Sequence, residues 1–233
     1  MSPSFRVSVF VPCVVVLGSL VPSAHAGTVS GKLDLPPAPE RPPAKTRGFL
    51  DRVENPLAPP RPMALAPHMV VALEPAAGSE PPAAPPQVVW ELVGESFGRP
   101  VVGAPLGAEV VIKNVSLTAR SLAAAQDPKL VPADPINPTG ARSFRASAVG
   151  IYTIGDKDAP HLAGTLVVVG TRHVASVDDA GRFVLEDVPE GKYTLRVFYK
   201  DAWLDGATEV QVGARGKTEV NPKVPALSSP GKK

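Results

Sequence analysis

Two histidines are the first residues in this chain whose type could support metal chemistry. His161 and His173 stand on either side of an apolar segment from Gly164 to Val169. A structural zinc site takes four protein ligands and a catalytic one takes three. No third ligand follows at a typical spacing, so the pair is either half of a zinc site or two exposed histidines at loop ends. We assign no metal ligand.

Acidic residues form a second group that could bind a cation. Asp178-Asp179 precede a glycine, and Asp187 and Glu190 follow within the same region. Carboxylates grouped in this way can bind calcium, but the tight turn Asp179-Ala180-Gly181 explains these acids equally well. A third acidic stretch, Asp156-Lys157-Asp158, is interpreted as a solvated turn.

No arrangement of residues indicates an enzyme. The sequence has no HExxH motif and no P-loop. Gly94-Glu95-Ser96-Phe97-Gly98 is not interpreted as a nucleophile elbow, because nothing in the sequence aligns a Ser, a His and an Asp as a triad. We therefore predict a non-enzymatic protein with no catalytic residues.

The composition excludes further classes of protein. The chain has 233 residues, with 24 Lys and Arg against 22 Asp and Glu and a formal net charge of +2. A nucleic-acid-binding domain presents a basic face, so we expect no nucleic-acid partner. The 29 prolines disfavour long helices, because proline interrupts the helical hydrogen bonds.

The N-terminus has the features of a secretory signal peptide. Arg6 precedes an apolar segment from Val7 to Leu20, and Ala24-His25-Ala26 has the small-x-small pattern of a cleavage site. We predict cleavage after Ala26, with an uncleaved N-terminal anchor as the alternative. Since Cys13 is the single cysteine, the exported chain would have no disulfide and no thiolate ligand. No later segment reaches membrane-spanning length, so we expect a periplasmic or secreted protein.

The rest of the chain has the pattern of an all-β protein. A first strand is predicted at Thr28–Leu35. The next segment, Pro36–Pro86, has 15 prolines in 51 residues and is expected to be an extended surface excursion, or else a Pro-rich ligand. It includes a strand at Met69–Leu73 and a helical turn or docking loop at Gly48–Val53. One short helix is expected at Ser121–Gln126. Short segments between turn residues then predict ten strands: Gln87–Val93, Ala108–Val115, Arg142–Arg145, Gly150–Ile154, Gly164–Val169, Val174–Val177, Arg182–Leu185, Lys192–Tyr199, Ala207–Val212 and Thr218–Val224.

Several segments in the middle of the chain follow the order of a known family. They are Phe97–Val102, Gly107–Asn114, Ser143-Phe144, Gly150–Ile154 and Gly164–Val169. The first two contain Phe, Pro, an apolar pair, Gly and a strand that ends in Asn. In this order the segments resemble the cupredoxins, the plastocyanin-like copper proteins. The resemblance implies a Greek-key β-sandwich.

The copper ligands of that family are missing. A blue-copper site needs two His and a Cys, usually with an axial Met. The first His would follow Asn114, where the chain has none before Leu122, and the Cys would follow Ile154, where Gly155 stands. Residues 156–162 offer only His161. We therefore predict a cupredoxin-like domain without copper and without any other cofactor.

The C-terminal part contains a second recognisable sequence motif, Val177–Leu195. Its Asp-Ala-Gly turn, alternating Arg182–Leu185 segment and Val188–Gly191 turn resemble the carboxypeptidase regulatory-like (transthyretin-like) β-sandwich modules. Period-2 alternation predicts an antiparallel hairpin from Arg182 to Tyr199. One apolar face of that hairpin would consist of Phe183, Leu185, Tyr193, Leu195 and Val197, with Thr194 and Lys200 on the other.

These features predict an all-β protein with a cupredoxin-like Greek-key sandwich, a smaller carboxypeptidase regulatory-like sandwich and a Pro-rich N-terminal excursion. The order resembles exported bacterial proteins described as methylamine-utilisation-like. The predicted segments are 1–26 (signal peptide), 27–86 (N-terminal strand and Pro-rich segment), 87–170 (cupredoxin-like), 171–224 (carboxypeptidase regulatory-like) and 225–233 (disordered tail).

The predicted function is that of a binding or structural module of the bacterial cell envelope. Its partner would be an envelope protein or a carbohydrate, for which Trp203 is a candidate contact because exposed aromatics often anchor interfaces. One alternative is a periplasmic copper-handling or electron-transfer protein. The other is an accessory module of a secreted hydrolase.

Overall fold

The structure is a computed structural model that describes residues 26–36, 64–76, 85–214 and 216–224. Within these ranges the chain forms strands and a single 3-10 turn, at Ala66–His68, so the predicted all-β class is confirmed. The predicted signal peptide up to His25, the predicted helical turn or docking loop Gly48–Val53 and the predicted disordered tail 225–233 lie outside the described residues. The strands are β1 Ala26–Lys32, β2 Met69–Pro75, β3 Val88–Val93, β4 Ser96–Phe97, β5 Val101–Pro105, β6 Glu109–Asn114, β7 Leu122–Ala124, β8 Ala141–Arg145, β9 Gly150–Asp156, β10 Ala163–Val169, β11 Val174–Ser176, β12 Arg182–Pro189, β13 Gly191–Tyr199, β14 Ala202–Trp203, β15 Thr208–Val212 and β16 Lys217–Glu219.

The strands form four sheets. Sheet A has the order β12-β1-β16, and sheet B has the order β11-β2-β13-β14 with β15 also paired to β13. Sheet C has the order β4-β3-β6-β8, and sheet D has the order β5-β10-β9-β7. Three neighbouring pairs are parallel, namely β1 with β16, β3 with β6 and β5 with β10.

Three apolar clusters hold the sheets in the layer order A-B-D-C. One cluster joins sheets A and B, a second joins B and D, and a third joins D and C. Strand β2 faces two of them, with Val71 and Leu73 toward sheet A and Val70 and Ala72 toward sheet D. A strand covered on both faces needs a continuous apolar run instead of an alternating one. This is why Met69–Leu73 is apolar throughout.

Close packing between sheets C and D depends on one glycine. Trp90 and Phe97 stack with their ring centroids 4.1 Å apart. A Cβ atom on Gly164 would lie 2.5 Å from Trp90 Cζ2 and 2.7 Å from Phe97 Cδ2. Since no real Cβ contact is that short, glycine is required opposite this aromatic pair.

Strands from the N-terminal part pair with strands from the C-terminal part. Strand β1 hydrogen bonds to β12 and β16, while β2 hydrogen bonds to β11 and β13. Ala72 lies opposite Val174, so the whole C–D sandwich is inserted between two adjacent strands of sheet B. The sequence analysis placed β1 and β2 in a segment of their own, 27–86, apart from 171–224. The sheets join the two, while the boundaries of independently folding domains stay a prediction.

The predicted hairpin from Arg182 to Tyr199 is wrong in its pairing. Strand β12 pairs with β1 in sheet A, and β13 pairs with β2 and β15 in sheet B. The chain therefore crosses between two sheets at Pro189–Gly191. The predicted apolar face is nevertheless correct, because its five side chains are all buried in the cluster between sheets A and B. Facing strands of a sandwich show the same inward alternation as paired strands.

The predicted helix at Ser121–Gln126 is a strand. Leu122 and Ala124 are buried, and β7 pairs with β9 from Leu122 opposite Asp156 to Ala124 opposite Ile154. Tertiary pairing here overrides the helix propensity of the alanines. The last predicted strand, Thr218–Val224, is only Lys217–Glu219 long. The short strands β4, β5 and β14 were not predicted.

Candidate functional site

The candidate site is a group of buried polar side chains at one end of the C–D sandwich. It consists of Asn114, Ser116, Arg120 and Asp156, which are all buried among apolar neighbours, and we call it the buried polar cluster. Asn114 ends β6 and Asp156 ends β9. Ser116 and Arg120 belong to the connection that leads from β6 to β7. Because buried polar groups are costly without partners, each should have a defined role.

Asn114 ties together three stretches of main chain. Its Nδ2 donates to Thr118 O and Ile136 O, both at 2.8 Å, and to Asn137 O at 3.3 Å. Its Oδ1 accepts from the Ser116 amide at 3.0 Å and from the Ser116 hydroxyl. Both ends of the side-chain amide are thus occupied. Asn114 therefore acts as a structural bracket for the connection that follows β6.

Arg120 and Asp156 form an ion pair. Arg120 Nη1 lies 3.6 Å from Asp156 Oδ2, and the two side chains are 10% and 1% exposed. Arg120 Nη2 also donates to Gly94 O at 3.3 Å, and Asp156 Oδ1 accepts from the Asp158 amide at 2.9 Å. The main chain of Arg120 is fixed by two hydrogen bonds to Ile136, which also accepts from Asn114. The cluster is therefore one connected network that closes this end of the sandwich.

Sequence reasoning missed this pair. Asp156 was assigned to a solvated turn, but it is buried, whereas Lys157 and Asp158 after it are exposed. A usable signal was the alternation along β9, which points Asp156 to the same inward face as Ile154. A carboxylate on an inward face requires a buried cation or donors. Nothing in the sequence identified Arg120 as that cation, since the two residues meet only through the fold.

The two histidines that the sequence analysis singled out lie at opposite ends of β10. His161 is exposed, and its Nε2 lies 3.4 Å from Glu95 Oε2. His173 is buried and makes an edge contact with Tyr193, with ring centroids 6.3 Å apart. The seven-residue strand between them spans about 20 Å, so they cannot share an ion. Within the described ranges, no group of three or more His, Cys, Asp or Glu side chains could hold a metal.

The acidic residues near Asp178 shape a turn. Asp178 Oδ1 accepts from the amides of Ala180 and Arg182 at 2.9 and 2.7 Å, and Oδ2 lies 3.2 Å from Arg182 Nε. The amide of Arg182 is the main reason why the pKa of Asp178 is lowered. Asp187 has a positive φ of 55° within β12. The turn interpretation explains Asp178, because both of its carboxylate oxygens are already bonded within the turn.

Gly94–Gly98 matches the letters Gly-x-Ser-x-Gly, but its place in the fold differs from that of a nucleophile elbow. That motif joins a strand to a helix, whereas here a turn joins β3 to β4. The Ser96 hydroxyl donates to Val93 O at 3.5 Å, so its proton is directed at a main-chain carbonyl and not at a base.

Trp203, the candidate contact residue, is half-buried and packs against neighbouring side chains of its own fold. Its ring packs edge-on against Phe198 at 5.4 Å, and the Arg196 guanidinium lies 4.7 Å from the ring centroid. Arg196 in turn forms an ion pair with Glu74 at 3.3 Å. The ring is therefore part of the packing beside the cluster between sheets B and D.

The buried polar cluster does not fit a copper ion. Blue copper requires a thiolate and two imidazoles, and here the connection after Asn114 supplies the Arg120 guanidinium to the buried end. A cation bound beside that guanidinium would meet a like charge away from water. Asn114 has no free donor or acceptor left for a ligand. Gly155, at the predicted thiolate position, has no side chain at all.

Comparisons with known proteins give structural similarity only at a low level. No protein-family model matches the chain, and no curated protein does. A reduced amicyanin mutant shares 16% identity over 36% of this chain and 82% of its own, with a TM-score of 0.33. A second amicyanin mutant, in its Cu(I) form at pH 4, shares 14% identity over 42% of this chain and 98% of its own, also with a TM-score of 0.33. A purple cupredoxin from Nitrosopumilus maritimus shares 13% identity over 36% of this chain and 100% of its own, again with a TM-score of 0.33. The Cu(I) ion belongs to that second amicyanin mutant, and a likeness of this size assigns no property to the present chain.

Proposed function

We propose that this chain is an exported, non-enzymatic β-sandwich protein that serves as a binding or structural module of the bacterial cell envelope. In this proposal the sandwich of sheets C and D is a cupredoxin-like domain without copper. The sandwich of sheets A and B is a carboxypeptidase regulatory-like module. The protein would work in the periplasm or outside the cell, on an envelope protein or a carbohydrate.

The observation that carries the proposal is the buried polar cluster. Apart from Arg120 Nε, which is buried without a hydrogen-bond partner, its polar groups bond to one another and to the main chain, and they close the end of the sandwich. An ion pair and a saturated amide provide neither a nucleophile nor a set of metal ligands. What this end of the molecule offers is a fixed surface, which favours binding over electron transfer or copper handling.

A surface for such binding lies directly outside the cluster. Strands β3 and β6 are parallel with Leu92 opposite Asn114, so Val93 and Val115 are neighbours. These two side chains are 50% and 55% exposed, and Leu117, two residues further, is 93% exposed. We call Val93, Val115 and Leu117 the apolar patch. Contiguous exposed apolar side chains are typical of interaction surfaces.

The first experiment tests the absence of a metal function. Chain 27–233 is purified and titrated with Cu(II), Cu(I) and Zn(II), while the melting temperature and the visible spectrum are recorded. We expect neither a stabilisation nor an intense visible band. A visible band or a rise of several degrees with one equivalent of copper would contradict the proposal and favour the copper-handling alternative.

The second experiment tests location and binding together. A photo-crosslinking residue is placed at Leu117 or, as a control, at Val184, which is 52% exposed on sheet A. After illumination of intact cells, we expect envelope-fraction adducts at Leu117 and few at Val184. Protein confined to the cytoplasm would contradict export. Equal adducts at both positions would contradict binding through the apolar patch.

A further inference from the structure

The first strand of the fold begins at the predicted signal cleavage site. The small-x-small pattern ends at Ala26, and Ala26 is also the first residue of β1. The bond between Ala26 and Gly27, which a signal peptidase would cut, therefore joins the first two residues of a strand. No linker separates the cleavage site from the folded structure.

Strand β1 is the middle strand of sheet A and has a neighbour on each side. On one side Ala26 lies opposite Pro189 and Gly27 opposite Val188 in β12. On the other side Thr28 lies opposite Lys217 in β16, and the Thr28 amide donates to Gly216 O at 3.0 Å. Both hydrogen-bonding edges of the chain just after the cleavage site are thus used within the fold.

The space around Gly27 is also filled. Gly27 is buried, and even a Cβ atom there would lie 3.2 Å from Val212 Cγ1 and 3.3 Å from the carbonyl oxygens of Gly213 and Gly216. Two residues further, Val29 is completely buried in the cluster between sheets A and B. A peptidase therefore cannot surround the residues that follow the scissile bond without first removing β1 from the sheet.

We propose that signal removal precedes folding, so that the Ala26–Gly27 bond is cut while β1 is still outside sheet A. The inference rests on the proposed export. An extended peptide is bound through its free main-chain edges, and a folded chain is cut only in its transiently open form. A chain that folds first protects its own cleavage site and keeps its signal segment. The fold thus sets the order of events, in which export and cleavage come first and closure of sheet A follows.

The test uses the full chain of 233 residues with a purified signal peptidase. One sample is kept unfolded in urea at a concentration that the peptidase tolerates, and one is refolded in mild detergent, with its fold checked by near-ultraviolet circular dichroism. Cleavage is followed by intact mass. We expect the unfolded chain to yield a product that begins at Gly27, and the folded chain to be cut at least about 100-fold more slowly, because the open form of a stable domain is rare.

A matched variant tests whether the folded chain is cut slowly because the bond is inaccessible or because of the sequence around it. Six residues, Gly-Thr-Gly-Ser-Gly-Ser, are inserted between Ala26 and Gly27, which keeps the scissile context Ala-Gly-Thr but moves it about 20 Å from the sheet. In the folded state this variant should be cut nearly as fast as the unfolded chain. If the folded natural chain is cut as fast as the unfolded one, the inference is overturned while export stands. If neither the unfolded chain nor the inserted variant is cut after Ala26, the export proposal fails, and the inference fails with it.

Discussion

Replacing one member of the Arg120–Asp156 ion pair should destabilise the protein more than replacing both. The charged atoms are 3.6 Å apart, with side chains 10% and 1% exposed. At an effective dielectric constant of about 20, this distance corresponds to an attraction of about 5 kcal/mol. Much of that attraction is offset by the cost of removing both charges from water, so the net contribution of the pair is small.

The single substitutions retain the desolvation cost but lose the attraction. Asp156→Leu leaves the Arg120 guanidinium buried with only Gly94 O as its acceptor, and Arg120→Met leaves the Asp156 carboxylate with only the Asp158 amide. Each should lower the free energy of unfolding by about 3–5 kcal/mol. The double variant buries two apolar side chains instead and should lie within about 2 kcal/mol of the natural chain.

Urea unfolding of the four proteins in a double-mutant cycle measures the coupling. We expect a coupling energy of several kcal/mol, with similar dependence of the unfolding free energy on urea for all four proteins. If the two single effects simply add in the double variant, the pair is not coupled and the network described for this end of the sandwich is incorrect. Asn114→Ala serves as a control, because it removes the hydrogen bonds of the Asn114 side chain without changing the charge of the cluster.

Three further predictions concern packing and pH. Gly164→Ala should lower the free energy of unfolding in urea by about 1–3 kcal/mol, because it overpacks the stacked aromatic pair. The control is Gly155→Ala, whose Cβ would lie 3.4 Å from its nearest neighbour and which should change the free energy of unfolding by less than about 1 kcal/mol. Equal costs for the two variants would contradict the packing described. Leu195→Ala should cost about 2–5 kcal/mol and Lys192→Ala, exposed on the same strand, less than about 0.5 kcal/mol, which the same measurement checks. Burial, and secondly the charge of a neighbouring lysine, lower the pKa of His68 from its ordinary value of 6.5. The unfolded chain therefore binds more protons below pH 6.5 than the folded chain, and the free energy of unfolding falls as the pH drops from 6.5 through the folded pKa. His68→Gln should flatten this part of the curve of unfolding free energy against pH.

The sequence predicted the faces of the strands better than their partners. Phe183 and Leu195 were assigned correctly to one buried layer, because period-2 alternation depends only on which side chains face inward. Their hairpin was wrong, because alternation is the same for two strands in one sheet and for two strands in facing sheets. The real partner of β12 is β1, which is separated from it by most of the chain, and no local pattern reports so distant a contact.

The candidate site was hidden for a related reason. Asn114 was identified as the end of a strand, but its hydrogen bonds to Ile136 and Asn137 depend on a loop for which the sequence analysis predicted no strand or helix. Arg120 and Asp156 each belong to a stretch that is polar enough to suggest solvent. Only the closure of sheets C and D brings them together, so their chemistry is a property of the fold and not of either segment.

The layer order links the two sandwiches into one body with two distinct outer faces. Gly103 in β5 allows sheet D to approach sheet B, because a Cβ there would lie 2.5 Å from Val174 and 2.6 Å from Val70. Arg99 strengthens the same contact by donating to Val177 O at 2.9 Å. Sheet A, which contains the strand that begins at the predicted cleavage site, and sheet C, which carries the apolar patch around Leu117, are therefore the outermost layers on opposite sides of the stack. A partner bound at the patch would therefore leave sheet A uncovered, which is why Val184 on sheet A is a suitable control position for the crosslinking experiment.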